Sequence, residues 1–299
     1  MANVKKQNKK GDFKMKRIIA LALVLVLAAF SFTACSGSKY TLSIAVESTV
    51  EDGKITNYVA VLVLDKNEKI VAARIDCAEA TATIEADAIK DVATIATKVD
   101  KGDAYGMKSG SFAKQTKAFE DHIVGMTAEE VANLDMALVS GCTMPNSPAS
   151  FKAVIAKAFT TSNKVTFKGS EDMTVGAAIS MSIKDSKATA DFAGVVISGG
   201  KVAAAILDSN EQTLSITDGA ITAGKYEGTK ADKGDNYKMD AGNWLSQAAV
   251  FASSAVGKTV DELNDLEAVS DALKEAGCTM QFTTYGYKAT IIKAAGLAR

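Results

Sequence analysis

One four-residue string constrains this chain more than anything else in it: Gly141-Cys142-Thr143-Met144 returns as Gly277-Cys278-Thr279-Met280. Each copy is followed by an amphipathic run, Phe151-Lys-Ala-Val-Ile-Ala-Lys-Ala158 in one case and Tyr287-Lys-Ala-Thr-Ile-Ile-Lys-Ala294 in the other. Internal similarity of this kind is the signature of a duplicated unit, so the chain is expected to fold as two tandem repeats. The alignment extends upstream. Thr41-Leu-Ser-Ile-Ala-Val matches Thr174-Val-Gly-Ala-Ala-Ile at an offset of 133 (174 − 41), and the turn Asp65-Lys-Asn-Glu-Lys shortens by one residue to Ser198-Gly-Gly-Lys. Past it the offset is 132, which lays Asp100-Lys-Gly-Asp103 on Asp232-Lys-Gly-Asp235, Tyr105 on Tyr237, Met107 on Met239, Gln115 on Gln247 and Phe119 on Phe251. Four extra residues before Gly277 then raise it to 136 (277 − 141). The boundaries that follow are 41–159 for the first repeat, 160–173 for a polar linker and 174–297 for the second repeat.

Within each repeat the apolar pattern changes period once. Leu42 to Ser48, Tyr58 to Leu64 and Lys69 to Asp76 are β-rich runs divided by turn chemistry, as are Thr174 to Met181, Phe192 to Ile197 and Val202 to Leu207. These predict an antiparallel meander, with further strands expected in 86–99 and 218–229. Phe112, Phe119 and Ile123 then recur at helical spacing, as do Trp244, Phe251 and Ala255. Such a stripe faces a core, or else forms an aromatic platform for a ligand. Thr127-Ala-Glu-Glu130 and Thr259-Val-Asp-Glu262 read as capping boxes opening a short second helix. Ser147 and Thr284 are placed to cap the last helix, with Pro145 and Pro148 around the first of those starts. The fold class is α+β: a meander followed by about three helices, made twice.

The first 34 residues stand outside this scheme. Residues 1–17 hold seven basic side chains against Asp12, and Ile18 to Phe32 is an uncharged apolar run that ends in Phe32-Thr33-Ala34-Cys35-Ser36-Gly37-Ser38. The run is shorter than the roughly 20 residues of a membrane-spanning helix, and the plan is that of a signal peptide. Small residues before a cysteine resemble a bacterial lipobox. That resemblance implies cleavage before Cys35, lipidation of its thiol, a short tether over 35–40, and a lipid-anchored body on the extracytoplasmic face of the cell membrane. The leader carries seven of the 34 basic and one of the 35 acidic residues, leaving 27 against 34, a net of −7. A body of that charge repels phosphate backbones, so nucleic acid is not an expected partner.

With the helix entry and the lipoprotein plan in hand, Val139-Ser140-Gly141-Cys142-Thr143-Met144 resembles the FMN-binding domain family of flavin-carrying respiratory subunits and surface lipoproteins. The family pattern is D-x-x-[ST]-G-A-[TS], and its last threonine receives FMN in a phosphoester bond made by a separate flavin transferase. Carried over by position, Ser140, Gly141 and Thr143 match in the first repeat, and Gly277 and Thr279 in the second. The resemblance implies FMN attached through Thr143 and, as the weaker match, Thr279. It also implies an electron carrier, not an enzyme, served by the transferase and by membrane redox proteins. A glycine allows close backbone approach, and a helix start favours phosphate charge by about 0.3–1 kcal/mol. The departures are Ala137 and Leu273 in place of the aspartate, Cys142 and Cys278 in place of alanine, and Ala276 in place of serine or threonine. They keep open a second reading, a non-redox ligand-binding or scaffold lipoprotein that has lost the cofactor.

Other chemistry is thin. No CxxC spacing or Cys/His cluster points to a metal. Cys142 and Cys278 form a bridge only if folding brings their Cα atoms within about 7 Å. Asp100, Asp103, Asp232 and Asp235 offer two carboxylates per loop, which suits a solvated turn better than a calcium site. Tyr105, Met107, Tyr237 and Met239 either pack those loops down or flank a ligand. His122, the single histidine, is expected on an exposed helix face, and no duplicated Ser/His/Asp or Cys/His arrangement can be built with it.

Overall fold

A computed structural model describes residues 38–299 except 52, 109, 144–148, 225, 240–241, 266–270, 272–274, 276–277 and 281–285. The leader and Cys35 therefore lie outside the described residues, as do Pro145, Ser147, Pro148, Leu273, Ala276, Gly277 and Thr284. Helix and strand are mixed as an α+β chain requires, and strands dominate.

Three long strands open the chain, β1 (Ser38–Glu51), β2 (Lys54–Leu64) and β3 (Ile70–Thr81). A short strand β4 (Val92–Ile95) and an edge strand β5 (Lys164–Gly169) follow. Four more come after them: β6 (Thr174–Lys184), β7 (Lys187–Ser198), β8 (Lys201–Thr217) and β9 (Ala220–Ala223). They build two antiparallel sheets, ordered β3-β2-β1-β5 and β9-β8-β7-β6-β4. The meanders are as the turn chemistry predicts. Gly199 and Gly200 take φ of 58° and 75° between β7 and β8, the left-handed pair that matches strand twist in a two-residue hairpin. The β6–β7 turn achieves the same with Asp185 and Ser186, φ 50° and 58°, without glycine.

The helices are α1 (Phe112–His122), α2 (Ala128–Ala132), α3 (Ala149–Thr160), α4 (Trp244–Ser253), α5 (Val260–Asn264) and α6 (Tyr287–Gly296). Both capping boxes form: Thr127 and Thr259 accept from the amides of Glu130 and Glu262, whose carboxylates accept in return from the threonine amides.

Side-chain alternation sorts these elements into four layers. Leu42, Ile44, Val46, Val59, Val61 and Val63 of the first sheet meet Val175, Ile179, Met181, Phe192, Val196 and Ile206 of the second in a shared inner core. The opposite face of the first sheet, with Leu62, Ile75 and Cys77, packs on Phe112, Phe119, Ile123, Val154 and Ile155. The opposite face of the second, with Val195, Val202 and Leu207, packs on Trp244, Phe251, Leu263 and Ile291. The order is helices, sheet, sheet, helices. Sheets covered on both faces need apolar residues at successive positions, which is why β2 runs Tyr58-Val-Ala-Val-Leu-Val-Leu64.

Two segments differ from the sequence expectation. The stretch 160–173, read as a linker, contains β5, which pairs with β1 from Ser38↔Gly169 to Ser43↔Lys164 and buries Phe167 against Tyr40. Its polar composition belongs to an edge strand, where alternate side chains face water. Of the strands expected in 86–99, β4 is one. It pairs with β6 through Met181↔Ile95 and Ile183↔Val92, while Thr97 bridges to Ala78 of β3, so this segment ties the two sheets together. Asn163 does likewise, accepting from Ile44 N at 3.3 Å and donating to Leu207 O at 2.8 Å. Arg299 pairs its backbone with Val175 and sets its guanidinium 2.8 Å from the buried Glu120 carboxylate of α1.

Candidate functional site

The Gly-Cys-Thr loop is held by a glutamine. Gln115 on α1 is fully buried, and its Oε1 accepts from both Thr143 N at 2.7 Å and Thr143 Oγ1 at 3.0 Å. Gln247 on α4 does the same for Thr279, at 2.8 Å from N and 3.1 Å from Oγ1. Two donors of one residue meeting one acceptor fix both the backbone and the hydroxyl rotamer, at about 0.5–1.5 kcal/mol per bond. Thr143 and Thr279 are nevertheless solvent-exposed, as are Ser140 and Gly141, while the intervening Cys142 and Cys278 point inward and are buried. Gly141 has φ of 79°, a left-handed conformation that explains glycine there. Gly277 lies outside the described residues. The first loop enters from a 3-10 turn, Met136–Leu138, capped by Asp135, whose carboxylate accepts from Ala137 N at 3.0 Å. An acid is thus present two residues before the position where the family pattern has one, and it serves the turn.

Cys142 and Cys278 are unbridged thiols in different outer cores, one under each helix layer, so the disulfide alternative is excluded. The aromatic stripes are core: Phe112, Phe119, Trp244 and Phe251 are buried, and Tyr105, Met107, Tyr237 and Met239 pack partly buried against the outer cores. His122 is half-buried rather than exposed, at the end of α1.

The two Asp-Lys-Gly-Asp loops do not gather their carboxylates. Asp103 pairs with Lys114 at 2.9 Å, and Asp235 accepts from Asn243 at 2.6 Å. Asp100 accepts from Thr97 N at 3.0 Å and receives Lys293 of α6 at 2.5 Å; Asp232 accepts from Thr229 N at 3.0 Å and receives Lys157 of α3 at 2.7 Å. Each lysine also donates to a strand carbonyl, Lys157 to Val46 O at 2.9 Å and Lys293 to Ile179 O at 3.0 Å. The cross-links are reciprocal, and each joins a helix on one outer face to a loop of the other half.

Beneath the same loops lie charged groups that the sequence reading passed over. Lys98 pairs with Glu79 at 2.5 Å and sits 5.0 Å from the Tyr105 ring centre; Lys230 pairs with Glu211 at 2.8 Å and sits 5.4 Å from that of Tyr237. Asp76 and Asp208 are buried, and burial pushes each carboxyl up to about 7 against the hydrogen bonds that oppose it. Asp191, buried on β7, is pushed up to about 6 for the same reason. The offset of 132 already lays Asp76 on Asp208, Glu79 on Glu211 and Lys98 on Lys230, so these pairs were findable.

A cleft of about 850 Å³ opens at the β1–β2 hairpin end among Val50, Gly53, Ile84, Gly219 and Ile221, and neither threonine loop lines it. Among the described residues no helix is long and apolar enough to cross a membrane. No family model, curated protein or solved structure matches this chain.

Proposed function

We propose that this chain is a lipid-anchored, extracytoplasmic protein made of two FMN-binding-like repeats, and that Thr143, with Thr279 second, is the attachment point for a flavin that carries electrons. The observation that supports this most is the paired presentation of the two threonines: each hydroxyl is at the surface, and each is oriented by a buried glutamine at the equivalent position. The residues fit such a group. Gly141 leaves open backbone beside Thr143, its nearest neighbour to an added Cβ being Ala118 at 3.5 Å. A glutamine carbonyl accepts the hydroxyl proton's hydrogen bond but is no base, so Thr143 is positioned without being activated. That division suits a separate transferase, which would form the Oγ1–phosphorus bond from a flavin dinucleotide, release the nucleotide half and take the hydroxyl proton. Bound flavin would supply one- and two-electron transfer.

The experiment is intact-mass measurement of the full chain made alongside a flavin transferase. Added mass of one or two FMN groups, lost in Thr143→Val and Thr279→Val, is the expected result. An unmodified chain without visible absorbance favours the second reading, a non-redox scaffold, for which Ala137 and Cys142 in place of the family residues are the motivating observation. The anchor is tested separately: Cys35→Ala is expected to release the protein from membranes.

A further inference from the structure

Asp76 on β3 and Asp208 on β8 stand 132 apart (208 − 76), and both lie under the loop that crosses their strand. Asp76 Oδ1 accepts from Cys77 N at 2.7 Å and Val99 N at 3.2 Å; Asp208 Oδ1 accepts from Ser209 N at 2.8 Å and Ala231 N at 3.2 Å. One amide of each pair belongs to the carboxylate's own strand. The other belongs to the loop, so Val99 and Ala231 are where the loop is stapled down. One residue further on, the same loops carry Asp100 and Asp232, the receivers of Lys293 and Lys157. Asp76 Oδ2 is buried with no well-aligned donor, and the Thr97 hydroxyl beside the carboxyl favours its charge by less than burial opposes it.

The titratable neighbours sharpen this. Asp76 is in electrostatic range of Asp100 of the loop and of the Cys77 thiol, and Asp208 of Asp232 of the loop and of the Tyr226 phenol. Lys293 and Lys157 pair with the outer carboxylates Asp100 and Asp232. Ionising an inner carboxylate therefore sets a second negative charge beside the one the lysine neutralises.

We infer that Asp76 and Asp208 are paired proton switches: protonated, they keep loops 97–105 and 229–237 docked and both lysine cross-links closed, and ionised, they loosen both loops together. The inner carboxyls, raised to about 7, stay protonated on the acid side of that value, whereas Asp100, where the Lys293 and Thr97 contacts outweigh burial, is held below the usual range and remains charged. Docking is therefore strongest near about pH 4, where Asp100 is charged and the inner carboxyls are still protonated, and weakens as pH rises toward about 7.

Hydrogen–deuterium exchange on the full chain tests this directly. Across about pH 4.5 to 8.5, protection of peptides covering 97–105 and 229–237, corrected for the intrinsic pH dependence of amide exchange, is expected to fall about tenfold per unit up to about pH 7 and to level off above it. In Asp76→Asn with Asp208→Asn that dependence should vanish. Constant protection in the wild type, or an unchanged slope in the double variant, overturns the inference. Should the variant fail to fold, carbon-13 titration of the wild-type carboxyls decides instead: titration near 7 supports the switch, and titration below about 5 overturns it.

Discussion

At the scale of single residues, the sharpest observation is that Val61 and Gly194 touch. They stand 133 apart (194 − 61), the offset that relates the first strands of the two halves, yet they meet across the inner core. A Cβ on Gly194 would lie 2.8 Å from Val61 Cγ1 and 2.9 Å from Ile206 Cγ2. Where two sheets approach this closely, one partner must be small if the other is large. Gly194→Ala is therefore expected to destabilise by about 1–3 kcal/mol through overpacking. Adding Val61→Ala should recover part of the loss, so a double-mutant cycle read by urea unfolding should show coupling, and strict additivity would refute the contact. Gly176 is tighter still. An added Cβ would lie 1.8 Å from Ala294 O, so Gly176→Ala must displace α6 from its sheet and is expected to lower the thermal midpoint more than Gly194→Ala does.

At the scale of elements, the lysine cross-links do two tasks that hydrogen bonding alone would leave undone. β5 pairs with β1 only as far as Ser43, so the outward carbonyl of Val46 lies beyond the added strand, and Lys157 satisfies it. Lys293 does the same for Ile179 on β6. Lysine on a sheet edge also discourages pairing with another chain. Because these side chains are about a quarter exposed, Lys157→Met and Lys293→Met are each expected to cost on the order of 1 kcal/mol, measured by urea unfolding. Equal losses are the expected outcome; a loss confined to one would show that the two halves share load unevenly. Much of this level was legible beforehand, because capping boxes, hairpin turns and helical stripes are local signals: Thr127, Thr259, Gly199 and Phe119 act where the sequence puts them. The rest was not, for a physical reason. An offset says which residues are equivalent and nothing about which faces meet, so the shared inner core and the Lys157–Asp232 pairing had no local signature. β5 was hidden because an edge strand keeps every second side chain in water. At the candidate site, Gly141 and Thr143 were readable from their motif, but Gln115 was visible only as an aligned residue, since its role depends on a loop 28 residues away returning to it.

At the scale of the whole molecule, two populations of carboxyls pull stability in opposite directions with pH. Asp65, held low by the Lys69 and Asn67 amides, and Asp100, Glu79 and Glu211, where lysine contacts outweigh burial, all fall below their ordinary values. Their stabilisation is present above the unfolded-state values of 3.8 and 4.5 and is lost as pH falls through the lowered folded-state ones. Asp76, Asp208 and Asp191 are raised by burial to about 7, 7 and 6, so their contribution is complete below 3.8 and is lost as pH rises through those values. The urea midpoint should therefore peak near about pH 4, fall as pH rises to about 7 and level off beyond it. The alkaline limb discriminates among the three. In Asp76→Asn with Asp208→Asn, the decline should be shallower and end near 6 instead of near 7, and the part that remains belongs to Asp191 and should be removed by Asp191→Asn. A midpoint that keeps rising from pH 5 to 8 in the wild type would mean that these carboxyls are ionised in the folded protein, and that the loops above them are held by something other than a proton.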